Sequence, residues 1–140
     1  MKPSEFWNGV GVEREFEESS LQCCTRAVQM GHRCGYVAIP HDHPAFGKSW
    51  DEIYDVIPDL DVDGGVTFAC LNGDTWVLGW DAAHSWHLPD VSIMSDECRR
   101  IHEQYGSFRE PFAVMIDADM AEAETRRFAQ QLAEGLVNEQ

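Results

Sequence analysis

The stretch from Val66 to Trp80, VTFACLNGDTWVLGW, predicts a β-hairpin and sets the fold class of the chain. Two β-rich runs, Val66–Leu71 and Thr75–Trp80, flank the tripeptide Asn72-Gly73-Asp74. Asn-Gly supplies the positive φ angles that a tight hairpin turn needs. The hairpin, at about residues 66–80, therefore indicates a small antiparallel sheet.

On the N-terminal side of the hairpin, the sequence predicts two helices and one strand. Residues 12–30 are predicted to form a helix that ends at Gly31, since glycine tolerates positive φ. Gly35–Ile39 (GYVAI) indicates a short buried strand that is ended by a proline. Ser49-Trp50-Asp51-Glu52 matches a capping box, so a short helix is expected there, ending at Pro58.

On the C-terminal side, Ser95 is predicted to cap a helix from Asp96 to Tyr105 that ends at Gly106. The apolar side chains of that helix, Cys98, Ile101 and Tyr105, are expected to face inward. This spacing is typical of a helix that packs against the rest of its domain.

The last two predicted elements are a strand, Phe112–Ile116, and a helix, Ala118–Glu134. Asp117 is the expected cap of the helix and Gly135 its expected end, while Phe128 and Leu132 dock it on the sheet. Together the elements predict an α+β fold in which helices pack on one face of a small antiparallel sheet. At this length we expect residues 1–140 to form a single domain.

The chain carries far more acid than base. Its 140 residues include 25 Asp and Glu against 10 Lys and Arg, a formal net charge of −15. Such a charge repels nucleic acid and anionic membranes, so we expect neither as a direct partner and favour a basic protein surface. The N-terminus lacks the apolar run of a signal peptide, no segment approaches the roughly twenty apolar residues of a membrane span, and five cysteines do not suggest a disulfide framework. These features predict a cytoplasmic protein.

The acids are concentrated in one third of the chain. Residues 49–98 contain eleven Asp and Glu and four of the five tryptophans, but no Lys or Arg. We expect these residues to gather into one negative surface that carries exposed aromatic side chains. The predicted binding surface consists of Asp51, Glu52, Asp55, Asp59, Asp61, Asp74, Trp50 and Trp86.

A second candidate site follows the hairpin. Asp81, His84 and His87 are spaced by three, so a helical turn there would point all three side chains the same way. Two imidazoles and a carboxylate can hold Zn²⁺ or another divalent metal. The alternative is that the two histidines are loop residues bonded to the backbone or to Asp81. The candidate residues of this metal or polar site are His43, Asp63, Asp81, His84, His87 and Asp90.

No dinucleotide-binding, P-loop or zincin motif is present, so the sequence commits to no cofactor.

Three blocks of sequence occur in a fixed order: Gly35–Pro44 (GYVAIPHDHP), Gly64–Thr67 (GGVT) and Gly79–His84 (GWDAAH), with Gly47 between the first two. In these blocks the chain resembles a family of small uncharacterised proteins from bacteriophages and bacterial prophages. The family pattern is GYV-x-x-P, a His-Pro, a strand with His-Gly-Gly-hydrophobic-Thr, and Gly-Phe-Asp-x-Ala-His-x-x-Asp. The resemblance covers about residues 35–90 and implies a phage setting and a shared fold rather than a particular reaction.

The chain departs from the family pattern at two positions. Asp63 stands where the family has His before Gly-Gly, and His87 stands where the family has Asp after the last His. An imidazole–carboxylate contact whose partners have exchanged places explains both departures. We therefore predict that the side chains of Asp63 and His87 are hydrogen-bonded.

These observations lead to two functional hypotheses. The first is an acidic, phage-encoded binding or inhibitor protein that docks on a basic surface of a host protein or defence complex. The alternative is a small metal-dependent hydrolase that acts on a nucleotide or phosphoester, with a metal-bound water as the nucleophile.

Overall fold

A computed structural model describes residues 2–106 and 109–138 and confirms the predicted α+β class. Five strands form an antiparallel sheet: β1 Val12–Glu18, β2 Leu21–Ala27, β3 Arg33–Ile39, β4 Phe68–Asn72 and β5 Thr75–Asp81. Their order across the sheet is β1-β2-β3-β5-β4. A separate parallel pair consists of β6 His87–Leu88 and β7 Val114–Met115. The helices are α1 Ile53–Val56, α2 Asp96–Tyr105 and α3 Ala118–Asn138, and a 3₁₀ turn spans Pro3–Trp7.

The hairpin predicted at residues 66–80 is confirmed as β4 and β5. Asn72 pairs with Thr75, which leaves Gly73 and Asp74 as a two-residue turn. Gly73 has a φ of 62°, the left-handed conformation expected of glycine in such a turn. The buried strand predicted at Gly35–Ile39 is also confirmed, since β3 contains it and is buried along its whole length.

The predicted helix at residues 12–30 is wrong, because this segment forms the second hairpin, β1–β2. Glu18 pairs with Leu21, so Ser19 and Ser20 alone make the turn, and both have positive φ angles of 53° and 66°. Two consecutive positive φ angles define a type I′ turn, which usually requires Asn or Gly. Gly31, the expected helix end, instead lies in the connection to β3 with a φ of 103°.

The predicted helix caps are confirmed. The Ser95 hydroxyl accepts the amide of Cys98, and Asp117 accepts the amide of Met120 at 2.8 Å. The capping box is also present, since Ser49 donates its amide to Glu52, although the regular helix there begins only at Ile53.

Three boundary and packing predictions are wrong. The strand expected at Phe112–Ile116 is reduced to the two exposed residues of β7. Gly135 does not end α3, which continues to Asn138. The Ile57 side chain packs against Gly135, and a Cβ at this position would collide with it. Ile101 and Tyr105 of α2 do not face inward, because both are exposed.

The main core lies between one face of the sheet and α3. Phe128 and Leu132 of α3 are fully buried, as predicted, against strand residues that include Val37, Leu78 and Trp80. Leu60 and other residues of the long β3–β4 connection complete this core. A smaller cluster on the opposite face of the sheet is covered by Trp7 and Phe68.

All five cysteines are free, and burial raises the pKa of the Cys23 and Cys24 thiols to about 12, so neither is a thiolate at neutral pH. Among the described residues, no helix is both long enough and apolar enough to cross a bilayer.

One hydrogen bond joins α3 to the centre of the sheet. The buried indole of Trp80 donates to the Thr125 hydroxyl at 3.0 Å, and that hydroxyl donates to the Ala121 carbonyl at 2.8 Å. Thr25 on β2 is equally buried, but its hydroxyl has no hydrogen-bond partner in the described part of the chain. The two threonines therefore form a natural pair of test and control positions.

We predict that Thr125→Val lowers the free energy of unfolding by about 1–3 kcal/mol, because the Trp80 indole then has no acceptor in the core. The matched change Thr25→Val removes a hydroxyl that makes no bond, so it leaves stability unchanged or raises it. Urea denaturation of both variants checks this. Equal losses at the two positions would contradict the assigned hydrogen bond.

Candidate functional site

The acids at residues 51–59 lie on an exposed turn that the core holds in place. Ile53 is fully buried in the main core, and the Tyr54 hydroxyl accepts the amide of Val66 at 3.0 Å. Hydrogen bonds from Ser49 hold the pKa of Asp51 below its usual range. The pKa of Glu52 is lowered for the same reason, with a smaller contribution from the charge of Lys48. The carboxyl groups of Asp51 and Glu52 are therefore ionised at neutral pH and held beside Ser49.

We name this turn the α1 acidic surface, and it comprises Trp50, Asp51, Glu52, Asp55 and Asp59. All five residues are exposed, and the Trp50 side chain is 57% exposed. None of the four carboxylates lies within 4.0 Å of a Lys or Arg nitrogen in the described part of the chain. The surface thus combines unpaired negative charge with one large aromatic ring.

The remaining acids of the Lys/Arg-free stretch are not part of one continuous unpaired surface. Asp61 is 3.2 Å from Arg127 of α3, and Asp90 is 2.9 Å from Arg33 of β3. Asp74 lies apart from α1 at the exposed β4–β5 turn. The predicted negative surface is therefore narrower than expected, because guanidinium groups that are distant in sequence neutralise part of it.

The second candidate site is a cluster around one carboxylate, which we name the Asp63 cluster: Asp63, His84, Trp86 and His87. His87 Nε2 lies 2.8 Å from Asp63 Oδ2, which confirms the predicted hydrogen bond. The Trp86 indole donates to the other carboxylate oxygen, also at 2.8 Å. His87 Nδ1 accepts the amide of His84 at 3.1 Å, so the proton of the neutral ring is on Nε2 and faces Asp63.

Burial alone would raise the pKa of Asp63. The hydrogen bonds from His87 and Trp86 outweigh burial and hold the pKa of this carboxyl below its usual range. Asp63 is therefore an anion at neutral pH, and each of its two oxygens accepts an aromatic N–H. The cluster joins the loop before β4 to the start of β6 and the turn that precedes it.

His84 and Asp81 are close but are not hydrogen-bonded. His84 stacks on Trp86, with ring centroids 4.4 Å apart, and covers Gly64, where a Cβ would collide with the imidazole. His84 Nδ1 lies 3.8 Å from Asp81, whose carboxylate accepts the Thr67 hydroxyl and the Ala83 amide. Residues 81–87 form an extended end and a turn rather than the helical turn that the spacing of three requires.

The geometry does not favour a metal centre made of the predicted ligands. Both ring nitrogens of His87 are engaged in hydrogen bonds, and His43 is likewise engaged, with the Leu132 carbonyl and the Ala45 amide. Asp90 is bonded to Arg33 and Ser92 rather than to the Asp63 cluster. Within residues 2–106 and 109–138, no three His, Cys, Asp or Glu side chains are grouped so as to hold a metal ion.

Three residues of α3 that hold the loop at Asp61 and Asp63 are absent from the predicted site residues. Glu124 accepts the Asp63 amide at 2.7 Å, Gln131 accepts the Asp61 amide at 2.7 Å, and Arg127 pairs with Asp61. Their spacing of three and four places them on one polar stripe of the helix. That stripe lies beside the buried residues of α3. It is the feature of the sequence from which a polar contact between α3 and a loop could have been predicted.

Comparison of the chain with models of protein families, with curated proteins and with solved structures finds no match in any of the three.

We predict that Asp63→Asn destabilises the protein at neutral pH by about 1–3 kcal/mol, because an amide has a single acceptor oxygen and leaves one aromatic N–H without a partner. Since the native pKa of Asp63 is lowered, its ionised form contributes stability above about pH 4 that is lost as the pH falls through the native value. The difference between the two proteins should therefore shrink in acid.

Denaturation of both proteins across the acid range measures this difference. The exposed change Asp42→Asn is the control and should show neither effect. A pH-independent loss in Asp63→Asn would show that the carboxylate charge is not what stabilises the cluster.

Proposed function

We propose that this chain is an acidic binding protein, encoded by a bacteriophage or prophage, that docks through the α1 acidic surface on a basic surface of a host protein. A nucleic-acid-handling enzyme or a defence complex fits this description, and occupation of its basic surface would inhibit it. The observation that carries the proposal is the set of four exposed carboxylates without described ion-pair partners beside the exposed ring of Trp50.

The chemistry of the α1 acidic surface suits a cationic partner. Fixed carboxylates take the place of the phosphates that a basic surface would otherwise bind, and the net charge of −15 attracts such a surface from a distance. Trp50 supplies an apolar ring of the kind that anchors protein interfaces. The attachments of Ile53 and Tyr54 hold the turn in position, so little order has to be gained on binding.

The phage setting is supported by the sequence blocks at residues 35–44, 64–67 and 79–84, and it implies action in the cytoplasm of the host. The hydrolase alternative has less support. His87 would have to give up one of its two hydrogen bonds before that ring nitrogen could act as a ligand, and Asp63 is already bonded at both oxygens.

We expect the triple variant Asp51→Asn, Glu52→Gln, Asp55→Asn to lose most of its host partner, because the removed charges are the ones that the partner must contact. The measurement is affinity capture from a bacterial lysate at low and high salt, with the bound protein identified by mass spectrometry. The unmodified chain should retain its partner at low salt and release it at high salt.

The matched control is Glu17→Gln, Asp42→Asn, Glu103→Gln, which removes the same number of exposed carboxylates elsewhere. It should bind as the unmodified chain does. If both triple variants lost the same amount of host partner, net charge alone would explain the binding. If the amount captured did not depend on salt, the interface would not be electrostatic.

A further inference from the structure

A cleft between α3 and the loop at Asp63, which we name the α3 cleft, takes no part in the docking proposed above. It has a volume of about 390 Å³, which lies within the range of pockets that hold small molecules. Its apolar part consists of Trp80, Ile116, Met120 and Ala123. Met120 is 39% exposed, and a methionine side chain adapts readily to the shape of an apolar ligand.

Three charged residues, Asp63, Glu124 and Arg127, complete the lining of the α3 cleft. The guanidinium of Arg127 donates to both carboxylate oxygens of Glu124, at 2.8 and 2.9 Å, and lies 3.2 Å from Asp61. Glu124 also accepts the amide of Asp63 at 2.7 Å. Because Arg127 and Glu124 neutralise each other, the negative charge of Asp63 is left over in the lining.

This charge has no cation beside it. The two oxygens of Asp63 accept hydrogen bonds from neutral donors, the Trp86 indole and the His87 imidazole. No Lys or Arg nitrogen of residues 2–106 and 109–138 lies within 4.0 Å of the carboxylate. Each oxygen has a second lone pair, and the side chain is 30% exposed, so the carboxylate can accept a further donor.

The charge of Asp63 determines which occupant the α3 cleft selects. A molecule that fills the cleft removes water from the side of Asp63 that borders it. A neutral apolar ligand would leave the anion without that hydration, and an anionic ligand would add repulsion, so both cost free energy. A cation on an apolar stem instead covers the apolar wall and gives the carboxylate a charged hydrogen-bond donor.

We propose that the α3 cleft is a binding site for an organic cation, an alkylammonium group carried on an apolar stem. The stem lies against Ile116, Met120 and Ala123, and the ammonium group donates to the carboxylate of Asp63. The lysine side chain of a protein and a free alkylamine share this chemistry. The site does not depend on the α1 acidic surface.

NMR titration of the isotope-labelled full chain with hexylammonium chloride tests the proposal. We expect saturable shifts of the Asp63 and Ala123 amides. Uncharged n-hexanol has the same stem and should bind roughly tenfold more weakly or worse, and hexanoate should not bind. Equal binding of hexylammonium and n-hexanol would overturn the proposal. A glycine peptide with one lysine, titrated in parallel, shifts the same amides if the source of the cation is a protein, and leaves them unchanged if it is a free amine.

Two variants separate the α3 cleft from the general negative charge of the chain. Ala123→Leu fills the cleft at an exposed position of α3 without a change of charge, and it should abolish saturable binding. Asp63→Asn should weaken hexylammonium binding roughly tenfold, whereas the matched control Glu103→Gln, which removes one charge from α2, should not. Binding that survives Ala123→Leu, or an equal loss in Glu103→Gln, would overturn the proposal.

The triple variant of the α1 acidic surface shows that this proposal and the docking proposal fail separately. It should bind hexylammonium as the unmodified chain does, even though it is expected to lose the host partner. A loss of saturable hexylammonium binding in this variant would place the cation on the α1 acidic surface and overturn the assignment to the α3 cleft.

Discussion

A shortage of positive charge governs how this molecule is held together. Ten basic side chains face 25 acidic ones, so most carboxylates cannot have a cationic partner. Four of the eight arginines lie where elements meet. Arg14 and Arg126 join α3 to β1, and Arg127 joins α3 to the loop at Asp61. The nearly buried guanidinium of Arg33 bridges β1 and the segment before α2 through two carboxylates. The α1 acidic surface receives none of these groups, and its unpaired charge is the basis of the docking role that we propose for it.

The fold separates three surfaces that differ in chemistry. The main core fixes the α1 acidic surface through Ile53, and the Tyr54–Val66 bond ties it to the loop that carries Asp63. The Asp63 cluster then uses an indole and an imidazole, rather than a scarce arginine, to hold its carboxylate. The exposed apolar side chains of α2, Ile101 and Tyr105, lie on a different element. Exposed negative charge and exposed apolar side chains therefore lie on separate elements of the same molecule.

Most elements encoded by local chemistry were predictable from the sequence, whereas most contacts between distant residues were not. The β4–β5 hairpin, the caps of α2 and α3, and the buried strand β3 each follow from residues within a few positions of one another. The β1–β2 hairpin was missed because Ser19-Ser20 gives no sign of a type I′ turn. The Asp63–His87 bond was predictable because the chain departs from the phage-family pattern at these two positions, with a carboxylate at one and an imidazole at the other. The pairing of Asp61 with Arg127, by contrast, depends on how α3 packs against the loop, and this packing cannot be predicted from the local spacing of residues.

Apart from the smaller effect of Lys48 on Glu52, the α1 carboxylates repel one another without a compensating cation in the described part of the chain, and stability measurements test this directly. Asp59→Lys should raise the free energy of unfolding at low salt, because it places a cation among unpaired acids, and the gain should fade at high salt. Asp61→Lys, two residues away, should instead lower stability, since Asp61 already has Arg127 as its partner. A loss of stability in Asp59→Lys at low salt would show that these acids are neutralised in the folded protein and would contradict the account.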